Sequence, residues 1–81
     1  MLEKRLGKRI ADLRRAKGYS QEKLAGMARY STEFISLVER GINAPSVAGL
    51  GRLAKALNVE VKDFFNFGPG VPRSREGRGH P

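Results

Sequence analysis

Ser20-Gln-Glu-Lys-Leu-Ala25 and, five residues further on, Ser31-Thr-Glu-Phe-Ile-Ser-Leu-Val-Glu-Arg-Gly41 decide how this chain folds. Each stretch opens on a serine whose hydroxyl can accept a hydrogen bond from a backbone N–H left free in a first helical turn. Each serine follows a tyrosine, Tyr19 or Tyr30, spaced to staple across the cap onto Leu24 or Ile35. Leu24, Ala25 and Ala28 then face inward from the first helix, and Ile35 and Val38 from the second, which Gly41 ends after Arg40. The link between them is so short that the two helices must cross sharply instead of forming a long antiparallel hairpin.

The same grammar extends outward in both directions. Leu6, Ile10 and Leu13 fall at i, i+4 and i+7, with Ala16 prolonging the stripe, which predicts an amphipathic helix over about residues 2–17. Gly18 after Lys17 terminates it, since glycine reaches positive φ without steric cost and a cation favours the negative helix end. Downstream, Asn43-Ala-Pro45 forms a loop and Ser46 caps a fourth helix carrying Leu50, Leu53, Ala54 and Leu57. Gly49 and Gly51 interrupt it, and mark either close helix contacts or a softer helix. Asn58 ends it. Val61 to Asn66 makes a short fifth helix whose Phe64 and Phe65 close the base of the core. The fold class is therefore all-α, a compact five-helix domain over residues 1–66. Residues 67–81, rich in Gly, Pro and Arg, read as a disordered basic tail, serving either as an arm for phosphate contacts or as a solvated terminus.

Composition limits what such a domain can do. At 81 residues there is room for one domain, and one this small buries only about 60% of the surface of its unfolded chain. Without cysteine there is no disulfide and no thiolate metal site, and His80 stands alone in the tail, so no metal and no cofactor are expected. The start lacks the apolar run of a signal peptide, and no stretch could span a membrane, which points to the cytoplasm. Sixteen Lys and Arg against eight acids give a net charge of +8, spread along the chain. That excess favours a polyanionic partner, while a merely solvated surface remains the plainer reading.

A short helix packed through Ile35 and Val38 leaves its other side and its N-terminus projecting, at a width that the major groove of B-DNA admits. Over roughly residues 5–65 the sequence resembles the Cro and phage-repressor type of helix-turn-helix, the XRE family. The resemblance is carried by Leu6-Gly-Lys-Arg-Ile10, Leu13-Arg-Arg-Ala-Lys-Gly18, Ser20-Gln-Glu-Lys-Leu-Ala25, Phe34-Ile-Ser-Leu-Val-Glu-Arg-Gly41, Pro45-Ser46 and Leu53-Ala-Lys-Ala-Leu57. It implies a lambda-repressor-like domain acting as a transcriptional regulator, a repressor, that binds a palindromic double-stranded DNA operator as a homodimer.

Site residues follow from the same resemblance. Thr32, Glu33 and Leu37 match the family's base-reading positions, with Ser36 and Ser31 beside them, although an idle solvent-facing strip could hold the same residues. A glutamate facing the groove is repelled by phosphates and is best placed accepting from cytosine N4, while Leu37 could pack on a thymine methyl group. Gln21 matches the family's glutamine at the start of helix two, which bonds a backbone phosphate and steadies the recognition helix, although a polar residue at a helix start could stand there without either role. Ser31, Arg40, Asn43 and the backbone N–H groups from Gly41 to Ala44 are further phosphate contacts, with Lys23 and Arg9 as weaker ones. Arg14 and Glu39 match an ion pair between helices one and three. Arg29 departs from the family, which carries glycine in the turn: it pays the strain of a left-handed conformation, or the turn is slightly remodelled, or its guanidinium instead reaches the DNA backbone.

Other function classes fare less well. The sequence holds no paired carboxylates at workable spacing, no nucleophile with a base and no Gly-rich phosphate loop, so it does not read as an enzyme. A protein-interaction module, such as an antitoxin or anti-repressor partner using exposed Phe34 and Leu37, is the alternative. A bridging factor binding RNA is disfavoured by the lack of exposed stacking aromatics. No small-molecule ligand is expected. One recognition helix reads too few base pairs for genomic specificity, hence the homodimer, with helix five and the last loop as its contact surface.

Overall fold

A computed structural model describes residues 1–67 of the chain. The described residues form four α-helices, α1 (Leu2–Ala16), α2 (Gln21–Ala28), α3 (Thr32–Glu39) and α4 (Val47–Leu57), followed by a 3-10 helix, Val61–Phe65, and contain no strand. Residues of the basic tail from 68 onward lie outside the described residues.

Serine caps set the starts of three helices. The Oγ atoms of Ser20, Ser31 and Ser46 accept hydrogen bonds from the backbone N–H groups of Lys23, Phe34 and Gly49, each at 3.0 Å. Left-handed residues set the ends. Gly18 (φ +74°) follows α1, and Tyr19 N–H returns to Arg14 O at 3.1 Å. Gly41 (φ +76°) follows α3. In the turn between α2 and α3, Arg29 takes the left-handed conformation itself, at φ 63° and ψ 42°.

The last element differs from the expected α-helix. It is a five-residue 3-10 turn ending at Phe65, short enough for that tighter geometry. The Asp63 carboxylate accepts from Glu60 N–H at 2.9 Å and anchors its start. Phe64 is fully buried, but Phe65, the next residue, points away and is 42% exposed, so a single phenylalanine closes the base of the core.

That core joins Leu6, Ile10 and Leu13 of α1 with Leu24, Ala25, Ala28, Ile35, Val38, Leu53, Leu57 and Phe64. Within it α2 packs against both α3 and α4, and α1 packs against α3 and the 3-10 helix. Gly7 lets α1 approach the end of α3 at backbone distance, because a Cβ there would collide with Val38 O. Gly49 is likewise a close contact, its Cβ position being taken by the Tyr30 hydroxyl, whereas Gly51 faces open space.

Candidate nucleic-acid interface

Helix α3 is buried along one side only. Ile35 and Val38 are sealed in the core, while Thr32, Glu33 and Arg40 are exposed and Ser36 and Leu37 half-buried. The spacing 32, 33, 36, 37, 40 places these five on one helical face. Phe34 lies between the two sides. It is half-buried, with its ring centroid 4.6 Å from that of Tyr30, so the exposed Phe34 surface that a protein-interaction reading required is largely occupied.

A polar clamp fixes the far end of this helix. Arg14 Nε donates to Glu39 Oε2 at 2.7 Å and Nη2 to Oε1 at 3.0 Å, while Nη1 donates to Tyr19 O at 2.8 Å. The two side chains are only 10% and 5% exposed. The hydrogen bonds from Arg14 to Glu39, with the carboxylate charge adding to them against the cost of burial, hold the guanidinium pKa above the ordinary arginine value. Gln21 joins the clamp, its Nε2 donating to Glu39 Oε1 at 2.9 Å. The resemblance implied that Gln21 both meets a phosphate and steadies the recognition helix, and one N–H of its amide is used in the second of these, on Glu39 of α3.

At its near end α3 is held from α4. Arg52 Nε donates to Ala28 O, the last carbonyl of α2, at 2.8 Å. Its guanidinium lies 4.8 Å from the Tyr30 ring centroid, and the Tyr30 hydroxyl rests over Gly49. The turn is therefore braced by a stack running Arg52, Tyr30, Phe34. Sequence reading missed Arg52; the available signal was Gly49 three residues earlier, a small residue on the same helical face as a long cation.

Two groups expected at phosphate are placed elsewhere. Arg9 is a correction: it is 6% exposed, and its Nε donates to Asp63 O at 3.0 Å, tying α1 to the 3-10 helix. The loop after α3 is the other. Gly41 N–H returns to Val38 O at 3.0 Å, and Ile42 and Asn43 N–H return to Leu37 O at 3.0 and 3.3 Å. Those donors close the helix end. The Asn43 side chain and Arg40 are exposed, as are Ser31 and Lys23, whose Nζ lies 5.7 Å from the Tyr19 ring centroid. Among the described residues no group of three or more His, Cys, Asp or Glu is placed to hold a metal ion, and no helix is long and apolar enough to cross a membrane.

Two short capped helices crossing at a braced turn, the second exposed along one face, define a helix-turn-helix protein. A helix-turn-helix family model matches residues 10–64, and the chain belongs to that family, with XRE-type regulators among its relatives. The uncharacterized HTH-type transcriptional regulator y4dJ of Sinorhizobium fredii is 40% identical over 58 residues, 72% of this chain and 75% of that protein. Control protein C.BamHI of Bacillus amyloliquefaciens is 36% identical over 62 residues, 75% of this chain and 76% of that protein. The crystal structure of the restriction-modification controller protein C.AhdI from Aeromonas hydrophila matches with a TM-score of 0.75 at 37% identity. That match covers 76% of this chain and 94% of the other. Against several longer regulators the match spans 32% to 56% of their length.

Proposed function

We propose that this chain is a sequence-specific, double-stranded-DNA-binding transcriptional regulator that inserts α3 into the major groove of a palindromic operator and represses by occupying it. The observation that carries this is the outer face of α3. Thr32, Glu33, Ser36 and Leu37 lie together on a helix whose base is clamped by Arg14, Glu39 and Gln21. Rigid placement matters because base readout requires side chains held at fixed positions in the groove. Glu33 accepts from cytosine N4, Leu37 packs on a thymine methyl group, and Thr32 and Ser36 take base edges beside them.

Phosphate contacts come from Arg40, Asn43, Lys23, Ser31 and the second N–H of Gln21, and set affinity without setting sequence. The net charge of +8 and the relatives named as transcriptional regulators or controller proteins support this reading. A second copy of the chain completes it, since two α3 helices about one helical turn of DNA apart read a palindrome. Val61 and Phe65, exposed on the 3-10 helix, offer the apolar surface for that contact.

Selection of bound sequences from a random duplex pool, followed by titration against salt and competitor DNA, tests the proposal. A palindromic winner with a steep linear fall of log affinity against log salt is the expected result. Equal affinity for all duplexes, or none for any, overturns it. Sedimentation of the free chain and its complex reads the stoichiometry.

A further inference from the structure

We infer that the cleft between the C-terminal ends of α2 and α4 docks an acidic, apolar-bearing segment of a partner protein, at a place separate from the outer face of α3. The cleft is open, about 540 Å³, and lined by Met27, Arg29, Arg52, Lys55 and Ala56. Three of those five residues are cations and none is an acid. Among the described residues neither Arg29 nor Lys55 makes an ion pair.

Helix ends do not account for that much charge. Each helix C-terminus carries about −0.5 of an elementary charge, so the two ends meeting here offset about one of the three cations and leave roughly two positive charges facing the cleft. Arg29 adds a conformational observation. It holds a left-handed φ of 63°, which costs a residue with a Cβ on the order of 1–2 kcal/mol, where glycine would sit without steric strain. A cation kept at the rim in a strained conformation points to use. Arg52 is pre-positioned, its Nε on Ala28 O and its guanidinium over the Tyr30 ring, so little side-chain freedom remains to be lost on binding.

The apolar lining selects a peptide over a phosphate backbone. Met27 is 44% exposed and lies with Ala56 among the cations, and the phosphates of a duplex backbone offer neither of them a complementary surface. The position agrees. Gln21 lies at the opposite end of α2, about 10 Å from Ala28 at 1.5 Å per residue, with Lys23 about 6 Å from Met27 along the helix, and α4 flanks α2 while α3 packs on α1 and α2. The occupant is therefore a carboxylate-rich segment whose aliphatic side chain covers Met27. The inference stands whether or not α3 reads DNA.

The test uses the full chain labelled with ¹⁵N and titrated with the acetylated, amidated peptide Leu-Glu-Asp-Leu-Glu. Its Gln and Asn analogue, inorganic phosphate and a short duplex form the other arms. Acidic peptide should shift the amides of Met27, Ala28, Arg29, Arg52, Lys55 and Ala56, and the neutral analogue should not. The double variant R29G/K55Q should weaken that binding about fivefold or more, with no fall in melting temperature and unchanged duplex binding. Four results overturn the inference: no shifts, shifts scattered over exposed Lys4, Lys8 and Arg15, the same shifts from phosphate alone, or displacement of the peptide from the cleft by the duplex.

Discussion

Arg14 grips both carboxylate oxygens of Glu39, at 2.7 and 3.0 Å, and so binds α1 to the end of the helix whose outer face is the candidate interface. With both side chains almost sealed from water, removing one partner strands the other's charge. Glu39→Ala should cost about 3–5 kcal/mol, and Arg14→Met/Glu39→Leu together less than either single change. Denaturant unfolding measures both. Because the Arg14 pKa is raised, its stabilisation is complete below the unfolded arginine value and disappears only as pH climbs through the still higher folded one. On the alkaline side, loss of this contribution is therefore expected in strong alkali.

Gly49 and Gly51 should respond to alanine with opposite signs. A Cβ at Gly49 would collide with the Tyr30 hydroxyl, and overpacking of this kind costs about 1–3 kcal/mol. At Gly51 nothing lies within 4 Å of the added atom, so alanine gains about 1 kcal/mol of helix propensity. Thermal melting should move down for the first and up for the second, by about 4–8 °C per kcal/mol in a domain of this size.

Arg29→Gly should raise the melting temperature. Relief of the left-handed strain at φ 63° outweighs the entropy glycine loses on folding, for a net gain of about 0.5–1 kcal/mol. A lowered melting temperature would mean that the Arg29 side chain makes stabilising contacts exceeding that strain.

Glu33→Ala and Arg40→Ala should separate specificity from affinity. Losing the carboxylate relaxes preference at one base pair by about 1–3 kcal/mol and leaves the salt slope nearly unchanged. Losing the exposed guanidinium weakens all duplexes alike and reduces the salt slope by about 1. Competition between point-variant duplexes at several salt concentrations reads both, and the reverse pattern would exchange the two assignments.

Arg9→Met should act on stability and not on DNA. Its loss leaves Asp63 O without the Nε donor, a cost of about 1–3 kcal/mol for a buried acceptor. An unchanged salt slope in duplex binding would accompany it; a slope reduced by about 1 would return Arg9 to the phosphate contacts.

What the sequence determined by itself was local. The three serine caps, the stops at Gly18, Gly41 and Asn58, and most of the inward stripe of each helix depend on residues three or four apart and formed where spacing placed them, except that Ala16, at the C-terminal end of α1, is exposed and Leu50 is only half-buried. The resemblance to a known family added the Arg14–Glu39 pair. Tertiary structure decided what depends on how separate elements meet. Asp63, 54 residues away, captured Arg9, and Glu39, 18 away, captured one N–H of Gln21. Packing chose Phe64 over Phe65 for the core and filled the space above Gly49 but not Gly51. A basic side chain looks the same in a sequence whether it faces solvent or a carbonyl oxygen on another helix. Only the docking of the helices places that acceptor within reach.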